Sequence, residues 1–93
     1  MLKQGEDSVK DPAEVSLNAL GWVLSDTARA RRFLDLTGLD PDGLRAAIGE
    51  PATQRPTLRA VLDFLCAHES DLLAAAEALA VAPAQLVVAR DRL

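Results

Sequence analysis

Ninety-three residues with a formal charge of -4 and a pI near 4.8 suffice for one domain. Taken whole, that balance argues against gripping nucleic acid through its phosphates, and leaves room for a local basic patch. Hydrophobic residues make up 49 % of it, enough for a core, although many are alanine and the aromatics are Trp22, Phe33 and Phe64 alone. Helix formers dominate, and the valines and the isoleucine never alternate with polar residues over a strand length, so an all-α fold is expected.

Residues 1–10 are polar, mixed in charge and without period, and read as a loose arm with no apolar signal region. The first helix starts at Asp11, with Pro12 at the first helical position and Glu14 in the first turn, and runs to Leu24. Ser25 offers the next N-cap, for a helix from Asp26 to Leu36 that buries Ala30, Phe33 and Leu34 and stops at Gly38. Asp40-Pro41 opens a short third helix to Ile48, ended by Gly49. The stretch 50–55, EPATQR, reads as a flexible connection. A fourth helix then runs from Pro56 to His68, Ser70 caps a fifth from Asp71 to Ala80, and Pro83 opens a sixth.

Two of these segments carry apolar residues on nearly every face and are expected to be wrapped by neighbours. One holds Leu58, Val61, Leu62, Phe64, Leu65 and Cys66; the other holds Leu17, Ala19, Leu20, Trp22, Val23 and Leu24. Laid against itself with a shift of 42 residues, the chain gives a weak echo, Leu20–Leu24 on Leu62–Cys66 and Asp35–Leu44 on Glu77–Leu86. The expected architecture is a compact bundle of about six helices in a single helical domain, 11–93, with two similar three-helix halves at 11–49 and 56–93.

The chemistry-bearing residues do not converge. His68 and Cys66 are two apart on one helix and cannot face each other, and no zinc-ligand spacing is present. Asp11, Asp26, Asp40 and Asp71 are accounted for by helix starts. The glycines are scattered and form no phosphate loop. Catalytic residues, cofactor and metal are therefore expected to be absent. The lone cysteine forms no internal disulfide and fits a reducing cytoplasm. The run Leu72–Ala89 is broken by Glu77, Pro83 and Gln85, so no membrane span is expected.

Two surface features remain. Arg29, Arg31 and Arg32, with Arg45 on the next helix, make a candidate basic patch, the one feature that favours nucleic acid against the overall charge. Leu86, Val87, Val88 and Leu93 give the last helix more apolar surface than a terminal helix needs, and make a candidate contact for a protein partner or a second copy. The reading that follows is a cytoplasmic, non-catalytic protein–protein interaction module or homo-oligomer. A nucleic-acid-associated regulator is the alternative.

Four pieces of sequence carry a resemblance: ALGWVLSD at 19–26, RFLDLTGLDPDGLR at 32–45, VLDFL at 61–65, and the ending with Pro83 and Ala89-Arg90. With these the chain resembles a family of short alphaproteobacterial proteins classed as a domain of unknown function. It departs from that family at Ala80, where a turn glycine is usual, and in the longer link EPATQRPT. The resemblance implies a small soluble helical protein of bacterial cytoplasm, and brings no activity or site residue with it.

Overall fold

The computed structural model describes residues 11–93; the expected arm at 1–10 lies outside them. Six helices follow one another: α1 (Pro12–Leu24), α2 (Thr27–Thr37), α3 (Pro41–Gly49), α4 (Pro51–Cys66), α5 (Glu69–Leu79) and α6 (Pro83–Arg92). No strand occurs among the described residues, so the chain is the all-α bundle its sequence leads one to expect.

Local chemistry sets most of the boundaries. Asp11 accepts from the Ala13 N–H at 3.1 Å and Asp40 from the Gly43 N–H at 2.6 Å, each just before a proline at the first helical position. The cap of α2 is Asp26, not Ser25: its carboxylate takes the Arg29 N–H at 2.9 Å, while the Ser25 hydroxyl donates back to the Trp22 carbonyl. α5 begins at Glu69 with His68 as its uncapped N-cap, so Ser70 lies inside the helix rather than before it.

The stretch 50–55 is not a connection. α4 starts at Pro51 and continues through Pro56. Pro51 occupies the position where its missing N–H costs nothing, and Pro56 forfeits one ladder bond without ending the helix. Thr53 Oγ1 and Gln54 Nε2 donate to the Ala47 and Ile48 carbonyls at 2.7 and 3.1 Å. They thereby close the end of α3 onto the first turn of α4. Glu50 alone separates the two helices.

α4 is the centre of the bundle and touches all five other helices. Leu58, Val61, Leu62 and Leu65 on it are wholly buried, and Phe64 meets Phe33 of α2 edge to face at 5.5 Å. α1 is less enclosed than its apolar sequence implies: Leu17 and Leu24 are each 41 % exposed, and Trp22 is only half-buried.

The helix ends repeat with a fixed offset. α1 and α4 end at Leu24 and Cys66, α2 and α5 span 27–37 and 69–79, and α3 and α6 open on Pro41 and Pro83, each pair 42 residues apart. The buried Ser16 hydroxyl donates to the Leu58 carbonyl at 2.7 Å, again 42 residues away. Corresponding positions therefore touch where α1 meets α4, as they do at a twofold axis. The turns after α2 and α5 match too: Gly38 has φ 75° and Ala80 has φ 58°. The left-handed conformation is free for glycine and costs alanine about 1 kcal/mol.

Candidate functional site

The same offset exposes the largest difference within the molecule. α6 packs on α1, α4 and α5, and Leu86 and Ala89 on it are buried. α3 packs chiefly on α4, which leaves a cleft between α1, α2 and α3. The cleft holds about 420 Å³ and is walled by Leu20, Leu24, Ala30, Leu34, Pro41, Leu44, Ile48 and Arg45. Size and lining are those of a binding site, apolar with a single polar group at the mouth.

Two local differences accompany the open cleft. α3 is tied by its C-terminal end to α4 through Glu50, Thr53 and Gln54, and is held away from α1 and α2. α6 is seated instead on α1, α4 and α5, and its Arg90, bonded to the adjacent Asp91 at 3.2 Å, also lies 3.8 Å from Asp63 of α4. The positions 42 residues earlier hold Ile48 and Gly21, which cannot form that pair. The face of Gly21 is so open that a methyl group placed there would touch nothing.

Arg45 projects at the cleft mouth. It bonds Asp42 at 3.1 Å, and both side chains are largely exposed, so the pair contributes less than about 1 kcal/mol and exchanges readily. The other arginines of the candidate basic patch go elsewhere. Arg29 lies 3.5 Å over the Trp22 ring and donates to the Trp22 carbonyl, closing the end of α1, with its Nε buried and unpartnered. Arg32 reaches Asp71 of α5 at 3.5 Å, and Arg31 is exposed. Arg29, Arg32 and Arg45 thus each pair with a different neighbour.

The residues selected on α6 separate in the same way. Leu86 is fully buried and unavailable to a partner, because the surface it presents is consumed by α6's own contacts with α1, α4 and α5. Val87 and Leu93 are half-buried, and Val88 is 47 % exposed. His68 is exposed in an open hollow with Arg32, Asp35, Leu36 and Phe64, its Nδ1 3.4 Å from the Phe64 carbonyl. Cys66 is half-buried, and the loss of solvation pushes its thiol above the usual range, so it is neutral at pH 7. No cluster of three or more His, Cys, Asp or Glu able to hold a metal occurs among the described residues.

The cleft residues on α1 and α2 escaped the sequence reading because a run of leucines looks alike whether or not a neighbour covers it. The offset of 42 carried the missing signal: Asp63 and Arg90 stand in one half, Gly21 and Ile48 in the other.

No single helix among the described residues is long and apolar enough to cross a membrane; α5 and α6 pass that test only together, across a 100° bend. No curated protein and no solved structure matches the chain. The bundle and its open cleft occupy the region matched by one family model, and over residues 9–93 the chain belongs to the family described as Protein of unknown function (DUF3572).

Proposed function

We propose that this chain is a non-catalytic interaction module of the cytoplasm, and that its recognition element is the apolar cleft between α1, α2 and α3. The occupant is the apolar ridge of a helix from a partner protein. One observation carries the reading: Leu24 is 41 % exposed and Leu34 and Ile48 are partly exposed in a cleft that they share with the nearly buried Leu20 and Leu44, while Leu62, Ala76 and Leu86 at corresponding positions 42 residues later are buried. A surface of this kind takes leucine-type side chains presented at i, i+3 or i+4 spacing. The site of binding is thus moved from the last helix, where sequence placed it, to the first half of the molecule.

The test is affinity capture from native extract by two proteins, the natural chain and the variant Ala30→Leu. The variant places in the cleft wall the residue that stands at the corresponding position, Leu72, in the closed half. A protein recovered near stoichiometry by the natural chain, lost with Ala30→Leu and indifferent to nuclease, supports the reading. Equal recovery by both proteins, or by neither, overturns it. Recovery that collapses with nuclease transfers attention to Arg31 and its neighbours.

A further inference from the structure

The packing of α6 on α4 gathers arginines that lie far apart in the chain. Arg55 Nη2 donates to the Arg92 carbonyl at 2.9 Å, and Arg59 and Arg90 approach the two oxygens of one carboxylate, Asp63, at 3.9 and 3.8 Å. Arg90 is bonded more closely to Asp91, at 3.2 Å. Arg55, Arg59 and Arg92 are exposed, and Arg90 is half-buried. Four of the ten Lys and Arg residues thus meet two of the fourteen Asp and Glu. The strip carries +2 in a chain of -4, which leaves -6 on the remainder.

The strip keeps donors to spare. A guanidinium has five N–H groups. Arg55 spends one of them on a neutral carbonyl, and Arg59 stands beyond hydrogen-bond length from Asp63. Among the described residues, neither Arg55 nor Arg92 meets a carboxylate.

We infer that this strip docks an acidic segment of a partner protein, whose Asp or Glu side chains one helical turn apart engage Arg55 and Arg59. Planar guanidiniums grip carboxylates through paired N–H···O bonds. Residues four apart on a helix stand about 5–6 Å from each other, and an acidic helix repeats that spacing at i and i+4. Nucleic acid fits less well on two grounds. No aromatic stands in the strip for a base to stack on: Phe33 and Phe64 are buried, and Trp22 lies under Arg29. A long polyanion would also run off four arginines onto the acidic remainder of the chain, which repels its phosphates. None of these arginines lines the cleft between α1, α2 and α3, so this contact is independent of the one proposed there.

The experiment titrates the full chain with three probes and follows the Nε–H resonances of its arginines. The probes are a capped helix of about fifteen residues with Glu at i, i+4 and i+8, its Gln counterpart, and a thymidine oligonucleotide of about twelve nucleotides. The Glu helix is expected to shift Arg55, Arg59 and Arg92, to leave Arg31 unmoved, and to weaken as salt rises toward about 1 M. Its affinity falls about fivefold in the double variant Arg55→Gln, Arg59→Gln and is unchanged in Arg31→Gln. Because Arg55 also holds the end of α6, Arg59→Glu is measured alone, and it too is expected to weaken the Glu helix while keeping the Arg55 bond. Equal binding of the Glu and Gln helices, or shifts of similar size at Arg31, overturn the inference. An oligonucleotide that binds more tightly than the Glu helix overturns it as well.

Discussion

The two halves of this bundle share their helix boundaries and differ in the seat of their third helix. In the second half α6 lies on α4 and α5, Leu86 is wholly buried, and Arg90 meets Asp63 across the seam. In the first half α3 is fastened to α4 by the single residue Glu50 and by Thr53 and Gln54, and does not follow α1 and α2 inward. The two seams share Leu20 with Leu62, Leu44 with Leu86 and a proline at the start of the third helix, and differ at Gly21 against Asp63 and Ile48 against Arg90. What also separates them is the attachment of that helix: α3 is joined to α4 through one residue, whereas α6 is seated on α1, α4 and α5.

Mutations at corresponding positions measure the difference. Leu86→Ala is expected to cost about 3–5 kcal/mol, because its wholly enclosed site cannot collapse; Leu44→Ala, beside a cleft that is already open, falls near 2 kcal/mol. Denaturant unfolding of the two variants reads this directly, and equal losses would erase the asymmetry. Ala30→Leu fills space rather than creating it, and is expected to raise stability by about 0.5–1.5 kcal/mol in the same assay. A loss of more than about 1 kcal/mol would mean that no room is present.

The two left-handed turns make a smaller contrast. Ala80→Gly relieves a backbone conformation that alanine resists, with a gain of about 0.5–1 kcal/mol after allowing for the greater freedom of glycine in the unfolded chain. Gly38→Ala loses a similar amount. The smallest effect is that of Cys66. Burial raises its thiol above the ordinary value, so the folded chain holds that proton more tightly than the unfolded chain does. Its contribution is fully present below the ordinary thiol range, near pH 8.5, and is lost as pH rises through the folded value. Relative to Cys66→Ala, the urea midpoint of the natural chain is expected to be flat from pH 6 to about 8 and to fall by pH 10.

Much of the fold is legible in the sequence because its signals are local. Asp-Pro before α1 and α3, Gly38 after α2 and Pro83 before α6 act within a few residues of themselves. The apolar run 58–65 marks the central helix for the same reason. Two errors share a cause, the reading of one residue without its tertiary partners. The prolines of PATQRP resemble a linker until Thr53 and Gln54 are found bonded to the end of α3. Leu86 resembles a surface leucine until α6 is found seated on three helices. The cleft was the least legible feature, because it arises from what α3 fails to cover.

The most direct measurement is the response of assigned leucine and isoleucine methyl resonances to xenon, which enters apolar space without needing a specific contact. Saturable shifts are expected at Leu20, Leu24, Leu34, Leu44 and Ile48, with Leu62 and Leu86 unmoved. Shifts of similar size in both halves, or none at the cleft, would contradict the claim that the cleft between α1, α2 and α3 is open where its counterpart in the second half is closed.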